Sequence, residues 1–474
     1  MKQNYTTTSR TSGPSRQILG ALLFAALVHG LGGRLSAQAS PPDTARIMHA
    51  DTARGSGQWR PYLLGTQINY ITQHLGAVRS PYAGPNSLGP ATDLEMSQAY
   101  GVYTGVRIGH GLTGFLDVEM IRGGGINRAT GLGGITNGDV LRQGTVDLGS
   151  GPYVARAFLR YTVRVGGAGR DTLAAGADQV PLDVAAHRVE IVAGKLALSD
   201  VFDLNRYANS TRWQFMNWGL FQNSAWDFAA DTRGYSNGVA VSWITPRWAV
   251  RAGSFQMPTL ANGNHFDPDL RRAHGDNVEL TVNLPSTGTV VRTLAYLNHA
   301  RMGNYNEAVT AGRAAHASPD IVADDRPGRT KYGYGLNVEQ PLADGGETGM
   351  FARLGWSDGA NESFVFTEVD RAASVGIQVA GGYWSRGNDR LGVAGLVHGL
   401  SPSHQQYLAA GGVGFLLGDG ALTYGQERII EAYYRAQLTP YLQFGPDLQY
   451  IRNPGYNRDR GPATVLGLRL NLRY

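Results

Sequence analysis

The sequence predicts an all-β fold: a 16-stranded antiparallel transmembrane β-barrel with short periplasmic turns, long external loops and an inward-folded third loop. Three observations carry this expectation. The stretch 465–474 alternates without a break, with Leu466, Leu468, Leu470, Leu472 and Tyr474 on one face and Gly467, Arg469, Asn471 and Arg473 on the other. A period of two is that of a strand with one apolar side. Segments of the same kind recur along the chain, joined by connections that alternate long and short. Finally, the N-terminus reads as an export signal, and no later stretch reaches the ~20 apolar residues of a spanning helix. A membrane crossing must then use strands, which satisfy their backbone in lipid only as a closed barrel.

In chain order, Lys2, Arg10 and Arg16 precede an apolar stretch at 18–28, and Ala37-Gln38-Ala39 is a small-x-small cleavage site. Residues 1–39 therefore read as a signal peptide, 40–58 as a polar periplasmic leader and 59–474 as the barrel. The alternating segments lie at 59–70, 98–109, 112–120, 153–165, 187–197, 234–244, 247–256, 276–284, 289–299, 331–339, 347–356, 372–382, 390–398, 426–437, 441–452 and 463–474. Most have the length of a tilted strand crossing the hydrocarbon core, about 9–12 residues. Connections 71–97, 121–152, 198–233, 257–275, 300–330, 357–371, 399–425 and 453–462 are long, whereas His110-Gly111, Thr245-Pro246, Pro285 to Gly288 and Thr439-Pro440 are tight turns. Long loops then belong outside and short turns to the periplasm. One turn-side connection, 166–186, is long; its Gly, Ala and Asp content reads as an extended periplasmic turn. An even strand number returns both termini to the periplasm.

Parity assigns the faces. In 153–165, Ala155, Ala157, Leu159, Tyr161 and Val163 are expected to meet lipid, while Arg156, Phe158, Arg160 and Arg164 face the lumen. Asp117, Glu119, Glu190, Arg251 and Arg353 are likewise lumen-facing, so the expected pore lining is Asp117, Glu119, Arg156, Arg160, Glu190, Arg251 and Arg353. Charges of both signs inside imply water, because an unpaired charge facing lipid costs several kcal/mol. Trp59, Trp243, Trp248, Trp356 and Tyr474 stand near segment ends and suit aromatic girdles.

The third external loop stands apart. It holds three of the eight Trp and four Phe among Asn, Asp and Arg, a composition costly to leave in water, so it should fold against the wall. Aromatic rings cover the apolar faces of a pyranose, and Asp, Asn and Arg exchange hydrogen bonds with hydroxyls. The expected substrate-binding and constriction residues are Phe202, Asp203, Asn205, Tyr207, Arg212, Phe215, Asn217, Trp218, Trp226, Asp227, Asp231 and Arg233. Such rings also serve to pack a loop onto a wall, and both roles stand open for each.

Several runs resemble one known family. They include Gly194-Lys195, Phe202-Asp203-x-Asn205, Tyr207-Ala208-Asn209, Gln214-Phe215-Met216-Asn217-Trp218, Ala225-Trp226-Asp227 and Ala230-Asp231-Thr232-Arg233-Gly234-Tyr235. Downstream come Phe351-Ala352-Arg353-Leu354-Gly355-Trp356-Ser357-Asp358-Gly359, His404-x-x-Tyr407-Leu408-Ala409-Ala410-Gly411-Gly412, Leu417-Gly418-Asp419-Gly420 and Asn453-Pro454-Gly455-Tyr456-Asn457-Arg458-Asp459-Arg460-Gly461-Pro462. The ordered set, over most of 95–474, resembles the carbohydrate-selective porins of the OprB family. The resemblance implies a sixteen-stranded outer-membrane barrel that admits monosaccharides and related small solutes down their gradient. The last strand ends in Tyr474 where Phe is common among porins, which keeps the aromatic terminus.

Other classes fit less well. With no Cys in the chain, disulfides, thiolate metal sites and Cys nucleophiles are excluded. The 11 His fall in no nucleophile or zinc motif, so no catalytic residue, metal or cofactor is expected. Asp324-Asp325 could hold a cation, though an acidic loop pair is ordinarily just solvated. The formal charge of +5 comes with no basic run, so no nucleic-acid partner is expected. Expected partners are small sugars, outer-membrane lipid and the barrel-assembly machinery, with a homotrimer as the candidate assembly. The rival cargo is small anions such as phosphate or organic acids, or weakly selected solutes in general, since arginine-lined pores suit anions.

Overall fold

The computed structural model describes residues 62–140 and 148–474; the signal peptide, its cleavage site, the leader and Trp59 lie outside the described residues. Sixteen antiparallel strands close into one barrel. They are β1 (Tyr62–Leu75), β2 (Asp93–Gly109), β3 (Leu112–Gly123), β4 (Tyr153–Arg164), β7 (Arg188–Leu196), β8 (Ser236–Ile244), β9 (Trp248–Gln256), β10 (His274–Leu284), β11 (Thr289–Met302), β12 (Arg326–Ala343), β13 (Thr348–Ser357), β14 (Arg371–Ala380), β15 (Arg390–Gly399), β16 (Glu427–Gln437), β17 (Leu442–Arg452) and β18 (Ala463–Arg473). A separate two-stranded sheet, β5 (Arg170–Leu173) with β6 (Leu182–Ala185), sits in the connection between β4 and β7. Every expected segment overlaps one barrel strand.

The seam is made by β18 and β1, from Gln67 opposite Arg473 to Leu75 opposite Val465. Tyr474 completes it: its N–H donates to Thr66 O at 3.0 Å, and Thr66 N–H donates to Tyr474 O at 2.7 Å. Closure leaves no unpaired strand edge in lipid. The outer face is the alternate apolar set, with Leu466 54 % exposed and Leu354 54 %, while Arg469 and Arg353 on the opposite parity are each 2 % exposed.

Three expectations need correction. Strands β1, β2 and β12 extend past the expected segments: ladder pairing continues to Leu75–Asp93 and Met302–Arg326, where the outward residues are polar in β1 (Thr72, His74) and β12 (Thr330) but are Leu94 and Met96 in β2. Ala155 faces inward: a bulge between Asp117 and Val118 pairs them with Arg156 and Val154, so Ala155 is unpaired, fully buried and packed near Tyr153 and Tyr235. One extra residue reverses the parity on its external side. Finally, 166–186 is a folded hairpin rather than an extended turn. Arg188 ties its base by an ion pair to Asp171 at 2.9 Å. Val180 at its far end is buried with Phe115 and Phe158, which are inward residues of β3 and β4.

The interior is filled from the external side. The third loop, 197–235, meets inward residues of strands from β10 round to β18. Trp226 Nε1 donates to Asn277 at 2.9 Å, and Asp227 pairs with Lys331 at 3.0 Å. Asp203 pairs with Arg353 at 3.1 Å and accepts from Asn337 Nδ2 at 2.7 Å. Glu431 accepts Met216 N–H at 2.5 Å and Asn217 N–H at 3.0 Å. Arg469 donates to the carbonyls of Thr211 and Gln214 at 2.5 and 2.7 Å. The strand walls are shaped for this. A Cβ on Gly349 would stand 2.2 Å from Tyr207 Oη, and one on Gly355 2.1 Å from Asn223 Oδ1, so glycine is what lets the loop approach.

Two external helices, α2 (Tyr305–Ala315) and α3 (Pro402–Ala409), pack on each other outside this plug; the one-turn α1 (Trp218–Phe221) lies within the third loop. Helix α2 is capped by Asn304, which accepts from the N–H groups of Asn306 and Glu307, and α3 by Ser401 with Pro402 in its first turn.

Candidate functional site

A group of polar side chains, several of them partly exposed, gathers on β1, β3 and β4 and the loops beside them. Glu119 of β3 is the node. Its carboxylate accepts from Tyr235 Oη at 2.6 Å, Arg212 Nη2 at 3.1 Å and Tyr153 Oη at 3.3 Å. Arg212, from the third loop, also donates to Asp139 of the second loop at 3.0 Å and to Gln67 of β1 at 3.3 Å. Arg156 of β4 grips Asp200 through two hydrogen bonds, at 2.7 and 2.8 Å, and lies 3.5 Å from both Asp117 and Asp178. The Arg233 guanidinium stands 4.1 Å over the Tyr153 ring, and that of Arg473 4.6 Å over Trp213. Side-chain exposure is 15 % for Arg156, 18 % for Arg212 and 19 % for Asp200, so these charges are not fully enclosed. Trp213 and Arg233 are half-buried beside them.

Such a ring presents fixed donors, fixed acceptors and an aromatic face to a passing solute. It offers no nucleophile. One hydrogen-bond chain elsewhere has the order of a catalytic triad: Ser224 Oγ to His398 Nε2 at 2.8 Å, and His398 Nδ1 to Glu427 at 3.3 Å. All three are buried, and a Cβ on Gly219 would lie 2.5 Å from His398 Nε2, so the serine faces packed protein with no space for a substrate.

The family assignment follows from comparison with known proteins. The family model described as "Carbohydrate-selective porin, OprB family" matches residues 103–474. The chain belongs to the carbohydrate-selective porin, OprB family. It is accordingly a bacterial outer-membrane, multi-pass β-barrel and a sugar porin that carries small solutes. Among solved structures it is similar to OprB of Pseudomonas putida, described in a high-pH form, with a TM-score of 0.63 and 15 % identity over 87 % of this chain and 94 % of that one. It also matches OmpF of Salmonella typhi in complex with daunomycin (TM-score 0.46, 10 % identity, 87 % and 97 % covered). An anion-selective porin from Comamonas acidovorans matches at TM-score 0.43 and 9 % identity, with 87 % and 99 % covered. No curated protein matches the chain.

Within this porin the sequence-derived residues divide. Phe202, Tyr207, Phe215 and Trp226 are at most 2 % exposed and are packed in the loop core, where Phe215 meets Tyr433 edge-on at 4.9 Å. Trp218 stacks on Phe366 at 4.4 Å. Asp203, Asn205, Asn217, Asp227 and Asp231 are buried and spend their polar atoms on backbone or wall partners. These ten are buried in the structure and hold the loop in place. Arg212 and Arg233 remain at the lumen. Of the expected lining, Asp117, Glu119 and Arg156 join the ring, and Arg160 is half-buried below it. Arg251 and Arg353 face inward but are covered by the loop, and Glu190 is held by Arg188 at 2.5 Å.

Asp139, Tyr153, Asp178, Asp200, Trp213 and Tyr235 were not among the expected residues. Trp213 stood in the right loop but carried no more weight than its neighbours. Asp139 and Asp178 come from other connections, and nothing local in the sequence brings them to the ring.

A second charged cluster sits outside the membrane span. His404 of α3 pairs through Nδ1 with Asp370 at 3.1 Å, lies 3.5 Å from Glu368 through Nε2, and stacks on Tyr305 at 4.2 Å. Burial disfavours charge on His404, but Asp370 and Glu368 outweigh it and raise its pKa above the ordinary value. Burial likewise opposes ionisation of Asp370, yet His404 and Lys331 hold its carboxyl well below the usual range. Glu362, buried and accepting from Gly303 N–H at 3.0 Å, is pushed up to about 8 chiefly by burial. Among the described residues no cluster of three or more candidate ligands could hold a metal ion, and Asp325 is paired with Arg301 at 3.2 Å.

Proposed function

We infer that monosaccharides and related neutral solutes diffuse passively along the wall of β1–β4 and β7, through a constriction made by Glu119, Asp139, Tyr153, Arg156, Asp200, Arg212, Trp213, Arg233 and Tyr235. The observation that carries this reading is the Arg212–Glu119–Asp139 node, which joins two loops to the wall where charged side chains still meet water. Trp213 offers a ring for a pyranose face, and the flanking carboxylates and guanidiniums exchange hydrogen bonds with hydroxyls as water is shed. Several moderate contacts suit a pore, because binding must be weak enough to release.

The buried aromatic residues act one step back, by fixing the loop that positions Arg212 and Trp213. Neutral cargo is favoured over anions because five inward arginines are each matched by a carboxylate. Arg156 pairs with Asp200, Arg212 with Glu119, Arg251 with Glu279, Arg292 with Glu339, and Arg353 with Asp203. The task is passage without catalysis. In the same reading, residues 1–39 direct export, 40–58 remain periplasmic, the barrel-assembly machinery inserts the chain, and the mature protein is a homotrimer.

Planar-bilayer conductance tests the cargo. Glucose added to open channels should reduce the current, and Trp213→Ala should weaken that block more than it alters open conductance. A current that no sugar changes but phosphate does would replace this reading with the anion one.

A further inference from the structure

Strands β16 and β17 carry two arginines face to face on the outside of the barrel. Arg428 and Arg452 are direct partners in the ladder, exposed and on the outward parity, while their chain neighbours Glu427 and Ile451 point inward and are buried. Below them the same outward column is apolar, with Ile430 opposite Tyr450 and Ala432 opposite Leu448. From Arg428 to Leu438, where the chain reaches its periplasmic turn, a tilted strand rises about 25 Å, which is the height of the apolar band. The pair therefore stands at the outer boundary of the hydrocarbon, level with the external headgroups.

Like charges directly opposite on a ladder are unfavourable, and no group in the protein relieves this pair. Neither guanidinium has an ion pair or hydrogen bond among the described residues. The carboxylates of this rim are spent elsewhere. Glu427 accepts the N–H groups of Gly133 and Gly455, at 3.2 and 2.8 Å. Asp419 pairs with Arg460 at 2.7 Å. Asp459 accepts from Thr423 Oγ1 at 2.7 Å and Tyr82 Oη at 3.0 Å, and the exposed Arg79 and Arg458 act on it electrostatically. Other external arginines are matched, Arg301 by Asp325 at 3.2 Å and Arg329 by Glu307 at 2.6 Å.

We propose that Arg428 and Arg452 together bind a phosphate of a phosphorylated glycolipid in the outer leaflet, with its acyl chains lying along Ile430, Tyr450 and Leu448. Planar guanidiniums fork onto phosphate oxygens, and an anion between two arginines turns their repulsion into attraction. A lipid is favoured over a free anion because the arginines cap an apolar column that continues toward the membrane centre. The assignment needs only a barrel in the outer membrane and is independent of the solute that the pore carries.

Native mass spectrometry of the folded, heat-modifiable barrel in detergent tests this, with diphosphoryl lipid A as the probe. Wild type should bind it about tenfold or more tightly than a synthetic analogue lacking both phosphates, and the double variant Arg428→Gln with Arg452→Gln should lose about that factor. Arg452→Glu should lose binding too, yet its melting temperature without lipid should stay at or above that of wild type, because an attractive cross-strand pair replaces a repulsive one. Arg271→Gln removes an exposed charge from another external loop and should leave binding unchanged. Equal affinity of wild type and either the double variant or Arg452→Glu overturns the proposal. So does equal binding of the phosphate-free analogue, which would mean acyl contact alone, or an equal loss in Arg271→Gln, which would mean bulk surface charge. Inorganic phosphate that displaces lipid A at equal concentration would assign the pair to a free anion instead. A wild type that is oligomeric without lipid A, and monomeric in the double variant, would place a second copy on this face instead.

Discussion

Asp203→Asn isolates one anchor of the third loop. Asp203 is 3 % exposed and receives three donors from different elements: Arg353 Nε at 3.1 Å, Asn337 Nδ2 at 2.7 Å and Asn223 N–H at 2.8 Å. Its backbone is left-handed, with φ at 55°, a conformation Asn tolerates as well as Asp, so the substitution adds no backbone strain. What changes is charge and one acceptor. Asn presents one oxygen and one NH2 group to three donors, so at least one bond is replaced by a donor facing a donor. Arg353, 2 % exposed, keeps only the carbonyls of Leu220, Asp203 and Ala208. Breaking a buried pair by removing one partner costs ~3–5 kcal/mol. The retained carbonyls reduce that to about 3 kcal/mol, or roughly 100-fold in the opening equilibrium of this part of the loop. Backbone hydrogen exchange in detergent micelles reads that constant directly. Residues 203–209 should exchange about 100-fold faster, while 227–231, held separately by Asp227 to Lys331 and to the Phe364 and Val365 N–H groups, should change little. Unchanged exchange at 203–209 would refute the anchoring argument. Uniform acceleration across the barrel would refute its locality.

Trp226→Ala removes a buried indole and its bond to Asn277; it should loosen the loop by about 3–5 kcal/mol, seen as protease cleavage within 197–235, while leaving glucose affinity less affected than Trp213→Ala does. The external cluster should loosen with alkali. A His pKa raised in the fold contributes stability that is complete below its unfolded value and lost as pH rises to the folded one, and Glu362, raised to about 8, loses stability in the same direction between its unfolded value and that pH. Protection factors of α3 amides, corrected for the base-catalysed intrinsic rate, should therefore be lower at about pH 9 than at about pH 6, and His404→Gln should flatten the His404 part of the profile. At the acid end the lowered Asp370 works the other way, its contribution being lost as pH falls below the ordinary carboxylate range. Deleting Tyr474 removes the two seam bonds to Thr66 and the terminal aromatic, and should lower the yield of heat-modifiable, folded barrel in the membrane.

The barrel was legible in the sequence because lipid imposes one rule on every strand. A residue that meets hydrocarbon is favoured to be apolar, and its neighbours along the strand point the other way and are free of that demand, so alternation in β3, β13 and β18 marks both element and face. The rule lapses where the outward residues turn polar, which is why the overhanging parts of β1 and β12 were not seen; in β2 the outward Leu94 and Met96 continue the alternation, and the expected bound falls too late. It also fails at the bulge, where a single unpaired Ala155 shifts parity with no trace in composition.

The site follows no such rule. The aromatic richness of the third loop marked a segment whose rings are mostly buried in the structure. It could not separate Trp226, whose indole nitrogen finds Asn277 in the packed half, from Trp213, left at the lumen. Sequence determined the sixteen strands, their facing and the family, because each depends on contacts with solvent or lipid that repeat locally. Only the tertiary structure brings together the residues of the proposed constriction. Glu119, Asp139, Arg156 and Arg212 come from two strands and two external loops, and what joins them is ion pairing across a closed interior, which exists only after the barrel has shut.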